Sequence, residues 1–216
     1  MTNTADDGTL ARLIGRRRNV VILDEDIPGV HAPRIFVENT EGAELATRHL
    51  IEAGHTKIAY LGGPVGLFSV VERYEGFRLA MGRAGLAVRP DYVALGGFDP
   101  ALARATTLKF LDLPEPPTAI FASSDYLAIG AVMGLREAGV AMPDDMSLIG
   151  FDDMPLGALL TPPLTAIRQP VDQLGRQGFQ TLLQLLTGET PPLVARLPVE
   201  LIRRHSVGAP RTRKLK

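Results

Sequence analysis

Cysteine is absent from the 216-residue chain, which removes thiolate catalysis, disulfide scaffolds and cysteine-based zinc or iron–sulfur centres together. Neither sign of charge dominates. The 23 basic residues stand against 24 acidic ones, a net charge of −1, so there is no basic excess for a surface built mainly to hold nucleic acid. No uninterrupted apolar run approaches the roughly 20 residues of a membrane-spanning helix. The opening Met1-Thr-Asn-Thr-Ala-Asp-Asp-Gly8 shows no basic-then-apolar leader. The expectation is a soluble, cytoplasmic protein without a membrane partner. What the chain does contain is 45% hydrophobic residues, enough for a sizeable core in one large unit or two small lobes.

Short apolar runs alternate with helical segments. Strands are predicted at Asn19–Asp24, Lys57–Gly62, Tyr92–Leu95, Thr118–Ala122, Ser147–Phe151, Leu164–Ile167 and Ala195–Ile202. Most are near-continuous apolar runs, the pattern of parallel strands covered on both faces. Helices are predicted over Thr9–Arg17 and over Glu41–Ala53, the latter capped by Thr40, stopped by Gly54 and turning Ala43, Ala46 and Leu50 inward. A third spans Val70–Arg83. Asp99-Pro100 starts a fourth, carrying Leu102, Ala105, Leu108 and Leu111. The last two are Asp125–Ala138 and Val171–Leu186, the latter with Leu174, Phe179, Leu182 and Leu186 inward. Strand–helix–strand repetition with short Gly/Pro connections implies right-handed crossovers and a Rossmann-like, doubly wound α/β fold.

In such sheets ligands sit beyond the carboxyl ends of the strands. There the sequence places Asp24-Glu25-Asp26, Gly62-Gly-Pro-Val-Gly66 with Ser69 and Arg73 beyond it, Gly96-Gly-Phe98, Ser123-Ser124-Asp125, Asp152-Asp153 and Arg168-Gln169-Pro170. Carboxylates and amides accept from hydroxyls, a guanidinium donates, and an aromatic face covers C–H surface. The set suits a small hydroxyl-rich molecule such as a sugar or nucleoside.

Signatures of catalysis are missing. Gly62, Gly63 and Gly66 have the wrong spacing for a dinucleotide fingerprint, and there is no phosphate loop and no nucleophile elbow. His31, His49, His55 and His205 lack metal-ligand spacing. Asp24-Glu25-Asp26 has no strand-end lysine to complete a phospho-acceptor centre. No catalytic residue, cofactor or metal is expected.

Read in order, VVILDEDIPG, VENTEGAELATRHLIEAGHTKIAYLGGP, ERYEGFRLAMGRAGL, the long stretch from PTAIFASSDYLAIG through GFDD and TPPLTAIRQP to QTLLQLL, and LPVELIRRHS resemble the effector-binding domain of LacI/GalR-type transcriptional regulators. The resemblance implies a type I periplasmic-binding-protein-like fold of two lobes closing on a small effector, a sugar or related polyol. It also implies homodimers, and DNA binding only through a headpiece this chain is expected to lack. The amino-terminal lobe (1–37 and 168–191) is expected to be incomplete and the carboxyl-terminal lobe (38–167 and 192–208) whole, with 209–216 a disordered basic tail. By position, Asp24, Ser69, Arg73, Phe98, Ser124, Asp152 and Gln169 fall where that family contacts its ligand. The family usually has Asn where Ser124 stands.

Self-association has a separate signal. Met154-Pro-Leu-Gly-Ala-Leu-Leu160 is an apolar stretch without clear helix or strand character. Leu156, Leu159 and Leu160 with Ile129 and Met133 are therefore expected to form a dimer patch. The rival readings are a sugar-modifying α/β enzyme using Asp24 and Asp152 as acid and base, and a stand-alone sugar-binding protein.

Overall fold

A computed structural model describes residues 8–17 and 19–212. In chain order its elements are α1 (Thr9–Ile14), β1 (Ile22–Leu23), β2 (Arg34–Val37), α2 (Asn39–Glu52), β3 (Ile58–Gly62), α3 (Phe68–Arg83), β4 (Val93–Leu95), α4 (Pro100–Leu111), β5 (Ala119–Ala122), α5 (Asp125–Glu137), β6 (Ser147–Asp152), α6 (Pro155–Ala158), β7 (Thr165–Arg168), α7 (Val171–Leu186), β8 (Val194–Leu197) and β9 (Glu200–Ile202). They build two sheets, a small one ordered β1-β2-β8 and a large one ordered β4-β3-β5-β6-β7-β9. Every pairing is parallel except β7 with β9.

The chain passes between the sheets at Glu38, at Gln169-Pro170 and at Pro198-Val199. The third crossing corrects the sequence reading, which runs one strand through Ala195–Ile202. Proline has no amide to give a ladder; at Pro198 the segment splits into β8, paired with β2, and β9, paired with β7. Residues 194–197 therefore pair within the small lobe, not the large one. Sequence reading also misses β2, a four-residue strand directly after Pro33.

Both faces of the large sheet are covered. Ala119 and Phe121 of β5 pack with Ala43, Ala46 and Leu50 of α2 and Phe77 and Met81 of α3. Ile120 and Ala122 turn to the opposite core, with Ala103 and Phe110 of α4 and Leu127, Ala131 and Leu135 of α5. Of the periodic residues 102, 105, 108 and 111 on α4, Leu111 packs against that core whereas Leu102 is exposed. Ala103, Thr107 and Phe110 are its buried positions, and the small Ala103 stands where α4 and α5 pack most closely. A Cβ on Gly130 would lie 2.3 Å from the Pro100 carbonyl oxygen and 2.6 Å from the Ala103 Cβ. On α7 only Leu174, Gly178 and Thr181 are buried. Phe179 and Leu186 face outward, since a single helix over three strands covers one stripe.

The 154–160 stretch contains the short helix α6, which sequence reading leaves as a loop. The end of the described chain stays on the body. His55 bonds the Gly208 carbonyl and Arg211 donates to the Asp145 carbonyl, so 209–211 follow a defined path where a disordered tail is expected. The rest of the expected tail, 213–216, lies outside the described residues. Among the described residues no helix is long and apolar enough to cross a membrane.

Candidate ligand site between the lobes

Asp24, Ser123, Asp152 and Gln169 stand at the carboxyl ends of β1, β5, β6 and β7, and two of these ends are bonded by Arg73. It comes from α3, whose buried face at Ser69, Arg73, Gly76 and Ala80 repeats at helical spacing. Its side chain is only 5% exposed, so each donor needs a partner. Nε donates to Asn39 Oδ1 (2.8 Å); Nη1 donates to the Ser123 carbonyl (2.8 Å) and, more loosely, to Asp152 Oδ1 (3.4 Å). The guanidinium carbon lies 3.9 Å from the centre of the Phe151 ring.

Asp152 ends β6 with φ at 114°, and Asp153 follows at 58°, backbone states that are costly for residues other than glycine and that cluster at binding sites. Asp152 Oδ1 also accepts from Gln169 Nε2 at 2.6 Å, which ties the large lobe to the second crossing. Burial raises the Asp152 pKa, opposed by the Arg73 charge and the Gln169 hydrogen bond. Asp153 turns away to pair with Arg168 and Arg204. A groove of about 550 Å³ beside the crossings is lined in part by Asp152, Gln169, Pro170 and Pro198.

Asp24 follows β1 with φ at 58°. Its Oδ1 is buried and has no hydrogen-bond partner among the described residues. Burial pushes its pKa up to about 6; Arg73 pulls it down, while Asp152, Glu25 and Glu72 push it further up. A buried carboxylate oxygen left without a donor is costly in a resting protein and useful to an arriving hydroxyl.

The remaining predicted residues are placed differently. Ser69 donates to Glu25 Oε2 at 3.1 Å. Ser124 is buried and its hydroxyl caps α5 by accepting from the Leu127 amide at 3.4 Å. Asp125, beside it, accepts from the Met154 amide at 2.6 Å, and burial pushes its pKa up to about 7. Phe98 lies against Gly63 at the end of β3, where a Cβ would sit 2.4 Å from its ring. The structure thus brings Arg73, Asp152 and Gln169 into direct contact, with Asp24 close enough to feel the first two. It gives Ser69 and Ser124 partners inside the protein.

Sequence reasoning misses Asn39, Glu25 and Phe151 as partners of this site. Asn39 is wholly buried at the start of α2, two residues before the predicted first helical position, and donates to Glu72 Oε2 at 3.2 Å. Glu72 in turn pairs with Arg196 of the small sheet at 2.6 Å. Across the lobes Phe36 also meets Phe68, ring centres 4.8 Å apart.

Residues 47–207 match the periplasmic binding protein-like domain family. The chain is 36% identical over 200 residues to the HTH-type transcriptional repressor CytR of Escherichia coli (strain K12), covering 91% of this chain and 59% of the relative. A solved regulatory protein of the LacI family from Chloroflexus aggregans superposes with a TM-score of 0.85 at 32% identity, over 94% of this chain and 73% of that one. A LacI family transcriptional regulator from Enterococcus faecium, solved with bound ribose, gives a TM-score of 0.79 at 30% identity, over 91% and 71%. The chain spans 50% and 59% of the length of two curated relatives it matches.

Proposed function

The chain belongs to the LacI family of transcriptional regulators built on the periplasmic-binding-protein-like domain, and from that premise we propose that it is the effector-binding and dimerisation part of such a regulator. The effector is a small hydroxyl-rich molecule, a sugar or related polyol or a nucleoside. One observation carries this reading: the buried, partnerless Oδ1 of Asp24 on the small lobe faces a rim where Arg73, Asp152 and Gln169 of the large lobe and its crossing are already locked together. A hydroxyl of the effector would satisfy Asp24, and other hydroxyls would bridge to the rim. Ligand bound to both lobes favours the closed form, and that population shift is what a DNA-binding part would sense.

Binding, not catalysis, accounts for these groups. Asp24 and Asp152 share a rim, but the rim offers no activated nucleophile, and the curated relatives it matches are named as repressors. Self-association is assigned to α5 and α6, where Met133, Leu156 and Leu159 are exposed and Ile129 is half-buried. Leu160 instead packs on the large-lobe core. The test is titration calorimetry of the whole chain against neutral sugars and nucleosides. At least one is expected to bind in the micromolar range, with affinity lost on changing Arg73. A chain that binds none of them, or that turns one over, overturns the proposal.

A further inference from the structure

The first turn of a helix carries amide groups with no partner inside the helix, and a positive dipole end lies behind them, so it is a ready seat for an anion. At the interlobe rim the first turn of α3 is such a seat, and the protein fills it itself. Glu25, next in sequence to Asp24, reaches from the small lobe. It accepts from the Phe68 amide on Oε1 at 2.6 Å and from the Ser69 hydroxyl on Oε2 at 3.1 Å. Two nitrogens of the central cation are also held, Arg73 Nε on Asn39 and Nη1 on the Ser123 carbonyl and Asp152. Asp152 bonds that guanidinium, Asp24 feels its charge together with those of Asp152, Glu25 and Glu72, and Glu72 is held by Arg196.

A phosphate group needs several free donors or cations converging on it. Here the donors on the first turn of α3 are occupied by an internal carboxylate, and Asp24, Asp152, Glu25 and Glu72 crowd negative charge beside it. We propose that Glu25 sets the charge specificity of the ligand site, plugging the anion seat on α3 so that the site accepts uncharged polyols or nucleosides and refuses their phosphate esters. The inference rests on the small-molecule reading above, and inorganic phosphate tests Glu25 independently of that reading.

The experiment is calorimetric titration of the full chain and of Glu25→Ala and Glu25→Gln, at constant ionic strength. The probes are inorganic phosphate and the pairs ribose and ribose 5-phosphate, adenosine and its 5′-monophosphate, cytidine and its 5′-monophosphate. The unaltered chain is expected to ignore phosphate and to bind a neutral compound at least about tenfold more tightly than its ester, the scale of one charge-assisted hydrogen bond. Glu25→Ala, which empties the seat, is expected to gain phosphate binding and to narrow the neutral-to-ester ratio. Glu25→Gln keeps the size and one acceptor but drops the charge; it is expected to narrow the ratio less, and it carries the test if the alanine variant fails to fold. Phosphate binding equally to all three proteins, or an ester matching its parent on the unaltered chain, overturns the role of Glu25 and leaves the small-molecule reading standing. Phosphate gained only on changing Glu25, with none of the neutral compounds binding, supports the plug and overturns that reading.

Discussion

Arg73 lies over the face of Phe151, its guanidinium carbon 3.9 Å from the ring centre, while its edge is held by Asn39, the Ser123 carbonyl and Asp152. Face and edge are fixed by different strand ends and a neighbouring helix. The cation is therefore set in place before any ligand arrives, and little side-chain ordering remains to be lost on binding.

Replacing Arg73 by lysine keeps the charge but removes the flat face and the fork of donors. Asn39 Oδ1 and Asp152 then lose a buried partner. The expected outcome is a loss of about 2–4 kcal/mol of stability in urea unfolding, together with at least about tenfold weaker binding of whichever neutral ligand the chain takes, by calorimetry. A lysine variant with unchanged stability and affinity would show that charge alone matters at this position.

Asp24 gives a prediction of opposite sign for stability. Burial lifts its pKa from 3.8 to about 6. Below the lower value the folded and unfolded chains are both protonated there. Between the two values the folded chain holds a proton that the unfolded chain has released, so its contribution to stability falls as pH rises, and the full cost is present above 6. Asp24→Asn is expected to stabilise the free protein by about 2–3 kcal/mol at pH 7.5, since each pKa unit corresponds to about 1.4 kcal/mol, and by nearly nothing at pH 4. Denaturant melts at the two pH values measure this. The same variant is expected to bind ligand more weakly, so a stability gain without an affinity loss would separate Asp24 from the site.

Much of the architecture is legible in the sequence because strand ends announce themselves. An apolar run that stops at Asp152 or Gln169 says where the rim lies in a parallel sheet. What is not legible is set by contacts between residues far apart in the chain. Nothing local marks Asn39 as the partner of Arg73, 34 positions away, or Glu25 as the acceptor for α3, 43 positions away. On α4 the buried set Ala103, Thr107 and Phe110 includes a threonine, so no apolar stripe announces it, and the close approach of Gly130 is what meets Ala103. Ser124 reads as a ligand contact by position in the chain; that its hydroxyl also accepts from the Leu127 amide and caps α5 comes from the structure.

His55 is a buried clamp on the end of the chain. Nε2 lies 2.9 Å from the Gly208 carbonyl, an acceptor, so it carries the proton, and Nδ1, 2.8 Å from the Thr118 hydroxyl, accepts. Burial lowers its pKa below 6.5, with Gly208 opposing. A base with a depressed folded pKa contributes stability that is complete above its unfolded value and is lost as pH falls through the folded one. His55→Gln is expected to cost about 1–3 kcal/mol at pH 7.5, to flatten the acid limb of the stability curve, and to speed hydrogen exchange at residues 206–211. Unchanged exchange there would remove the clamp.

Self-association turns on where apolar side chains stand free. Leu159 is 78% exposed and Leu156 48%, with Met133 at 47% on α5. The two helices are tied by the Asp125 carboxylate on the Met154 amide, so these side chains ride on a fixed support and a partner meets a preformed surface. Leu160 packs on the large-lobe core, and a charge there would test folding, not association. The informative variant is Leu156→Asp with Leu159→Asp. Two carboxylates set in an apolar interface lose hydration without gaining partners, so sedimentation velocity is expected to show a dimer for the unaltered chain and a monomer of unchanged melting temperature for the double variant. A double variant that sediments as the unaltered chain does would move any interface away from α5 and α6.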